Sequence, residues 1–232
     1  MRKSEITLEQ ILQMRSGYPW EEFDGYLDSL LSTSNWIPFL AEFPLTSAPG
    51  TRFGYSNFTA HMMAVILARA AGTSLLDFAR INLFDPLEVE AAYWPTDAQG
   101  YHWGSGDLHF TPRAMAKFGL LYLNRGMYQG SQIIPAGWVD DSLQSYSTTT
   151  YENDILENIS QLEYGYLWWS GTSGSHHFDF AWGHGGQLIV LLHDLNMVIV
   201  TSADHLAGEF GQAAWQKEKH VMEMVGRFIS SL

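Results

Sequence analysis

The sequence of 232 residues contains no cysteine. Disulfides, thiolate nucleophiles and cysteine-held metals are therefore excluded. Basic residues are scarce: 12 Lys and Arg stand against 25 Asp and Glu, a formal net charge of −13. Nucleic-acid binders carry a basic footprint, so this balance argues against a phosphate-backbone partner. No apolar run reaches the roughly 18 residues of a membrane span. The opening Met1-Arg2-Lys3-Ser4-Glu5-Ile6 has no apolar segment, so no signal peptide is visible and the compartment stays open. Lysine itself occurs at only four positions, Lys3, Lys117, Lys217 and Lys219. Repeats and low-complexity tracts are absent. What is present is apolar: 46% hydrophobic and 14% aromatic residues, enough for a sizeable core in one large domain or two intimate subdomains.

The chain is organised around Pro49-Gly50-Thr51-Arg52-Phe53-Gly54-Tyr55-Ser56-Asn57 and the apolar segment after it. Pro49-Gly50 signals a turn, and Phe53 and Tyr55 alternate as in a short extended piece. Ser56 or Asn57 can cap a helix, since a short polar side chain satisfies free N–H groups at a helix start. Thr59 to Ala71 is apolar all round, the pattern of a buried helix, and Gly72 closes it. Tyr55-Ser56-Asn57 thus sits at a rigid helix mouth, where polar groups can be held in place for chemistry. Without a partner motif, the same residues describe a capped core helix.

Elsewhere helices come first. Thr7 and Gln10 form a capping-box pattern ahead of Leu8, Ile11 and Leu12. Residues 19–48 read as short helices and loops. A helix from Thr73-Ser74 should end near Leu83, because Asp85-Pro86 forbids continuation. Residues 92–110 read as irregular. Thr111 and Pro112 open a helix to about Asn124, and Pro135 to Leu143 reads as a further short one. Residues 144–163 look like a long polar surface loop. Tyr164 to Trp169 then reads as a strand, and Leu188–Leu192 with Met197–Thr201 as an antiparallel hairpin. Val221, Met224, Val225, Phe228 and Ile229 mark one packed stripe of a last helix. The order implies an α+β fold: a mainly helical part over about 1–150, then strands and a C-terminal helix over about 160–232.

A second polar cluster is Trp182-Gly183-His184-Gly185-Gly186-Gln187, just before the Leu188 strand. Glycines flanking a histidine let the backbone approach a ligand closely. Taken alone, it is equally a Gly-rich turn with a loop histidine. No metal is expected: His176 and His177 are adjacent and point apart on a strand, and no His-Glu-x-x-His occurs. His61, His102, His109, His193 and His205 read as ordinary polar or edge residues. Glu21-Glu22 and Asp140-Asp141 read as solvated faces.

Together, Pro-Gly-x-x-Phe-x-Tyr-Ser-Asn and the later His184-Gly185-Gly186 resemble the serine β-lactamase and penicillin-binding-protein-like family. The likeness is greatest to its class C-type branch of esterases, peptidases and amide hydrolases. Residues 6–17, Phe84-Asp85-Pro86-Leu87, Gly119–Leu123 and Gly165–Trp169 agree in order and spacing, so the resemblance spans about Ile6 to Thr201. It implies a β-lactamase/transpeptidase-like fold, no cofactor, and hydrolysis of an ester, amide, β-lactam or short peptide through an acyl-enzyme. By that resemblance Tyr55 is the general base, or shares that role with the lysine of the family's first motif. Asn57 orients the substrate, His184-Gly185-Gly186 is the third motif, and the Gln187 backbone N–H is half of the oxyanion hole. Such donors contribute roughly 3 to 4 kcal/mol each in acyl-transfer sites.

One departure is decisive. Three residues before Lys117, Lys217 and Lys219 stand Ala114, Ala214 and Gln216, and nothing stands there before Lys3. Hence no Ser-x-x-Lys, the family's nucleophile motif, occurs in the sequence. In the family that motif lies upstream of the segment matching Ile6, so an N-terminal part with the first sheet strands is expected to be missing. A free tyrosine has a pKa of about 10 and needs nearby cations to serve as a base. Three readings remain. The chain is a serine hydrolase lacking that segment, a non-catalytic binding module of the same fold, or a hydrolase using Ser56 or Ser105. Neither serine lies in a Gly-x-Ser-x-Gly elbow, and each fits a cap or turn. A reduced sheet of three strands with an open edge is expected, inviting pairing with a second copy or with the missing piece.

Overall fold

The computed structural model describes residues 3–21, 36–149, 156–204 and 212–232. Glu22, His205 and part of the 144–163 stretch lie outside the described residues, as does much of 19–48. Two compact units divide the chain, Met1–Phe110 and Thr111–Leu232.

In the first unit, Thr7 caps helix α1 (Leu8–Leu12) in a full capping box with Gln10. The chain leaves α1 through Met14, whose φ is 53°. It is then zipped to the segment before the central helix: Gly50 N–H donates to the Arg15 carbonyl at 2.7 Å, and Gly54 N–H to the Met14 carbonyl at 2.8 Å. Residues 51–56 form no strand; Phe53 is buried and Tyr55 half-buried. Helix α2 (Trp36–Glu42) and helix α3 (Asn57–Ala71) share a core of Tyr18, Trp36, Leu40 and Phe58. Phe58 is fully buried, and a side chain of that kind contributes roughly 1.5–3 kcal/mol. Helix α3 ends as expected at Gly72 in the left-handed region. It is not buried all round: Leu67 is exposed, while the polar Thr59 and His61 are buried.

Pro86 does not stop the next helix where the sequence suggests. Helix α4 (Leu75–Ala79), capped by Ser74, runs into a π-helical turn, Arg80–Phe84, and then helix α5 (Asp85–Leu87). The widened turn, closed by Asp85 N–H on the Arg80 carbonyl, accommodates a residue without an N–H at the start of α5. Residues 88–110 are irregular, as expected, with only two isolated bridges, Tyr93 to His109 and Thr96 to His102.

In the second unit, Thr111 caps helix α6 (Pro112–Leu123) with Pro112 in its first turn. A two-residue ribbon, β1 (Met127–Tyr128) and β2 (Ser131–Gln132), and helix α7 (Ala136–Ser142) follow. Among the described residues the main sheet has six antiparallel strands in sequence order, not three. They are β3 (Ser147–Thr148), β4 (Ser160–Tyr164), β5 (Trp169–Ser173), β6 (His176–Gly183), β7 (Gln187–Leu192) and β8 (Met197–Thr201). The β7–β8 hairpin is as the sequence suggests.

The expected single strand Tyr164 to Trp169 is instead the bend between β4 and β5. Leu167 has a φ of 61°, and a Cβ on Gly165 would lie 2.3 Å from the Ser142 carbonyl oxygen. Of these residues Trp168 joins a core of Tyr122, Val139, Ile189 and Leu191, while Leu167 is exposed. Strands β3 and β4 also replace part of the expected surface loop, and Leu156 and Ile159 beside them are buried. Helix α6 packs on β7 and β8 through Gly119, where a Cβ would meet Val198 at 2.6 Å and Ile189 at 2.9 Å.

The last helix, α8 (Gln212–Ser230), buries Ala214, Glu218, Met222, Val225 and Ile229. That stripe is rotated from the expected one, and Met224 and Phe228 are each 48% exposed. Both stripes have helical spacing. The acidic Glu218 disguised the true one.

Candidate functional site

Tyr55-Ser56-Asn57 stands at the start of α3. Ser56 is the N-cap, its hydroxyl oxygen accepting from Thr59 N–H at 3.3 Å, and it is fully buried. The Ser56 hydroxyl donates to Glu21 Oε1 at 2.6 Å. Glu21 also accepts from the backbone N–H groups of Asn57 (3.1 Å, Oε2) and Phe58 (3.2 Å, Oε1). A carboxylate thus closes the free N–H groups of the helix, where the helix dipole favours negative charge. Glu21 is fully buried, which corrects the expectation of a solvated face. Burial pushes its pKa up to about 7 against the pull of the Ser56 hydroxyl and the backbone N–H groups of Glu21, Phe58 and Asn57. Tyr55 and Asn57 stay half-buried beside this clamp, with the Trp20 ring 6.0 Å from that of Tyr55. With its hydroxyl buried and committed, Ser56 is a structural serine. Ser105 lies in a bend after Gly104, whose N–H donates to His61 Nδ1 at 3.3 Å.

His61 is a core residue. Its Nε2 meets Asp97 Oδ2 at 3.0 Å, both side chains 1% exposed, and the Trp36 ring lies 4.8 Å away. Because Nδ1 accepts from Gly104, Nε2 carries the hydrogen given to Asp97. Both ring nitrogens are satisfied, so His61 holds the loop that Asp97 organises.

In the second unit, His184, Gly185 and Gly186 form the connection from β6 to β7, and Gln187 is the first residue of β7, paired with Gly183. Gly185 and Gly186 have φ of 82° and 93° and are buried, whereas the His184 side chain is 46% exposed. His184 Nδ1 lies 2.6 Å from Glu218 Oε1 on α8. The same oxygen accepts Gly185 N–H at 2.7 Å, so that amide points into the protein. Gln187 Nε2 donates to the His184 carbonyl at 3.2 Å, and Thr201 Oγ1 to the Gly186 carbonyl at 2.8 Å. The structure thus gathers Tyr55 with Asn57 at one helix mouth and His184 to Gln187 on one strand connection. The motifs themselves were legible; Glu21 and Glu218 were not. Among the described residues no group of three or more histidines and carboxylates is arranged to hold a metal ion. His176 turns to Asp194 at 2.6 Å, while His177 and His193 face Asp179 at 4.0 and 2.8 Å.

A helical region, an antiparallel sheet and a C-terminal helix are the parts of a β-lactamase/transpeptidase-like α+β fold. The family model described as Beta-lactamase matches residues 2–221, and the chain belongs to that family. Solved structures agree in fold. A "Putative 6-aminohexanoate-dimer hydrolase from Bacillus anthracis" is 23% identical at a TM-score of 0.70, over 98% of this chain and 62% of that one. An octameric penicillin-binding protein homologue from Pyrococcus abyssi is 14% identical at 0.68, over 97% and 56%. The penicillin binding protein from Bacillus halodurans is 17% identical at 0.67, over 98% and 74%. The chain therefore spans about three fifths of the length of the first two. No curated protein matches it in sequence. Among the described residues, no single helix is long and apolar enough to cross a membrane.

Proposed function

We propose that this chain, a single β-lactamase-like domain, carries the second and third motifs of a serine hydrolase that cleaves ester or amide bonds through an acyl-enzyme. The observation behind this reading is the Glu21 clamp on Ser56, Asn57 and Phe58, directly after Tyr55. A buried carboxylate spent on fixing a helix start is costly for an inert cap and sensible for a site that needs the amide of Asn57, and the chain that carries Tyr55, held in place. Tyr55 is the general base and Asn57 orients the substrate. His184, Gly185 and Gly186 line the acyl group, and Gln187 N–H supports the oxyanion. The substrate is a small ester, an amide, a β-lactam or a short peptide; the 6-aminohexanoate-dimer name of one neighbour points to linear amides. No Ser-x-x-Lys lies within the 232 residues, so the acyl-accepting serine is supplied by a polypeptide segment outside them.

Intact-mass spectrometry after a fluorophosphonate and, separately, an activated acyl ester tests this. The expected result is no adduct on the chain alone, and a stoichiometric, Tyr55-dependent adduct when a segment bearing Ser-x-x-Lys is added. A stoichiometric adduct on the chain alone would place the nucleophile here, with Ser105 the first serine to map. Binding of a small acyl ligand without any adduct in either arm would identify a non-catalytic module instead.

The same reading extends to association. Among the described residues β8 pairs only with β7, leaving the other side of an apolar strand unpaired by any strand. We propose that this edge joins a second copy or the nucleophile-bearing segment. Light scattering coupled to size exclusion should show self-association that a proline at Ile199 (I199P) weakens; a clean monomer at high concentration would remove the second-copy reading.

A further inference from the structure

The geometry points to Glu218 as the positioning residue of the third motif: it fixes the ring and the tautomer of His184, and with them the face that a substrate meets. The catalytic consequence rests on the hydrolase reading above; the tautomer does not.

Glu218 occupies a position on α8 where Ala214, Met222, Val225 and Ile229 are its buried neighbours along the stripe. A carboxylate there is expensive unless it is fully used. One of its oxygens serves the β6–β7 loop. Oε1 takes His184 Nδ1 at 2.6 Å and Gly185 N–H at 2.7 Å. The helix comes this close because Gly186 has no Cβ; one built there would lie 2.8 Å from Val221 Cγ2. Trp215, three residues before Glu218, stacks on Trp182 at 5.8 Å and holds the other flank.

An ionised carboxylate only accepts hydrogen bonds. With Glu218 ionised, His184 Nδ1 carries the hydrogen at this contact, and a neutral ring then presents Nε2 as an acceptor. The His184 side chain is 46% exposed, so this ring meets solvent while its other nitrogen is tied inward. A lysine at this position could only donate. The Glu218–His184 pair thus turns the position into an acceptor backed by negative charge. It favours substrates that bring an N–H or O–H donor over those that bring a carboxylate.

Side-chain 15N–1H correlation spectra test the assignment directly, with the His184 signals identified by their loss in His184→Asn. The wild type should show His184 as the Nδ1–H tautomer. Glu218→Gln keeps an acceptor oxygen and should retain that tautomer; Glu218→Ala should lose it, at unchanged far-UV circular dichroism. A wild-type His184 in the Nε2–H form would overturn the proposal, as would a tautomer unmoved in Glu218→Ala. Should Glu218→Ala fail to fold, Glu218→Leu, which keeps the buried volume, provides the same comparison. With the nucleophile-bearing segment present, Glu218→Ala should lower kcat at least tenfold at similar KM on a donor-bearing ester, with Glu218→Gln restoring most of it. Equal kcat in wild type and Glu218→Ala would also overturn the proposal. Absence of turnover in every variant would count against the hydrolase reading alone, leaving the spectra to decide the tautomer.

Discussion

Glu21 Oε1 lies 2.6 Å from the Ser56 hydroxyl, so a carboxylate thirty-five residues upstream fastens the start of helix α3, directly after Tyr55. Its folded pKa, about 7, stands above the ordinary 4.5. The protonated form is therefore favoured on folding. Stability from this group is greatest below about pH 4.5, falls as pH rises to about 7, and is level above that. The full fall is on the order of 3 kcal/mol. Urea denaturation across pH 5 to 8 should show the decline, and Glu21→Gln should flatten it while lowering stability at pH 5. An unchanged slope in Glu21→Gln would assign the decline to another group.

Ser56→Ala removes the cap on Thr59 N–H and one of the donors on Glu21. Loss of a cap costs about 1–2 kcal/mol, and the less satisfied carboxylate adds to it. Thermal denaturation should place the variant several degrees lower. Fluorophosphonate labelling in the presence of the nucleophile-bearing segment should survive wherever the protein remains folded, because Ser56 is not the nucleophile.

Gly186→Ala and Gly130→Ala form an informative pair. Both glycines have positive φ, 93° and 83°, so each substitution strains the backbone by about 1 kcal/mol. Only at Gly186 would the new methyl also meet a neighbour, Val221 at 2.8 Å. Gly186→Ala should therefore be the more destabilising, by roughly 1–3 kcal/mol, the usual cost of overpacking. Equal losses in chemical denaturation would mean that α8 yields without cost.

Asp97→Ala should be among the most damaging single changes in the first unit, at roughly 3 kcal/mol. It strips His61 of its partner and leaves the N–H groups of Gln99 and Tyr101, which donate to Asp97 Oδ1 at 2.8 and 2.9 Å, without an acceptor. Asp97→Asn keeps an acceptor for those amides and should cost visibly less in the same melts.

The parts of the molecule that were legible in the sequence are those governed by local rules. Thr7 with Gln10, Thr111 with Pro112, and Gly72 mark helix ends because capping acts over one turn. The β7–β8 hairpin announces itself through β-branched runs around a short loop. The two motifs could be read because their residues are contiguous. Glu21 and Glu218 could not be, since each acts across a distance: 35 residues to Ser56 and 33 to Gly185. In a hydropathy pattern a buried carboxylate looks like a solvated one, and only its donors, supplied by the fold, distinguish the two. The same blindness rotated the α8 stripe. Of strand β6 only the polar start, His176-His177, reads as strand, while the aromatic end that supplies the sheet core does not stand out. The π turn at Arg80–Phe84 has no local signature beyond Pro86, which argues for a stop.

The connection from β6 to β7 reads, as letters, like the loosest piece of the chain, with two glycines in a row. Its polar backbone groups tell otherwise. The Gly185 amide is taken by Glu218 and the Gly186 carbonyl by Thr201, one from the helix side and one from the edge strand. In terms of proton exchange, Gly185 should hold one of the slow amides of the molecule, because helix and edge strand brace its loop from two sides. Glycine here buys approach and no freedom: the loop is a braced strut, and His184 stands on it.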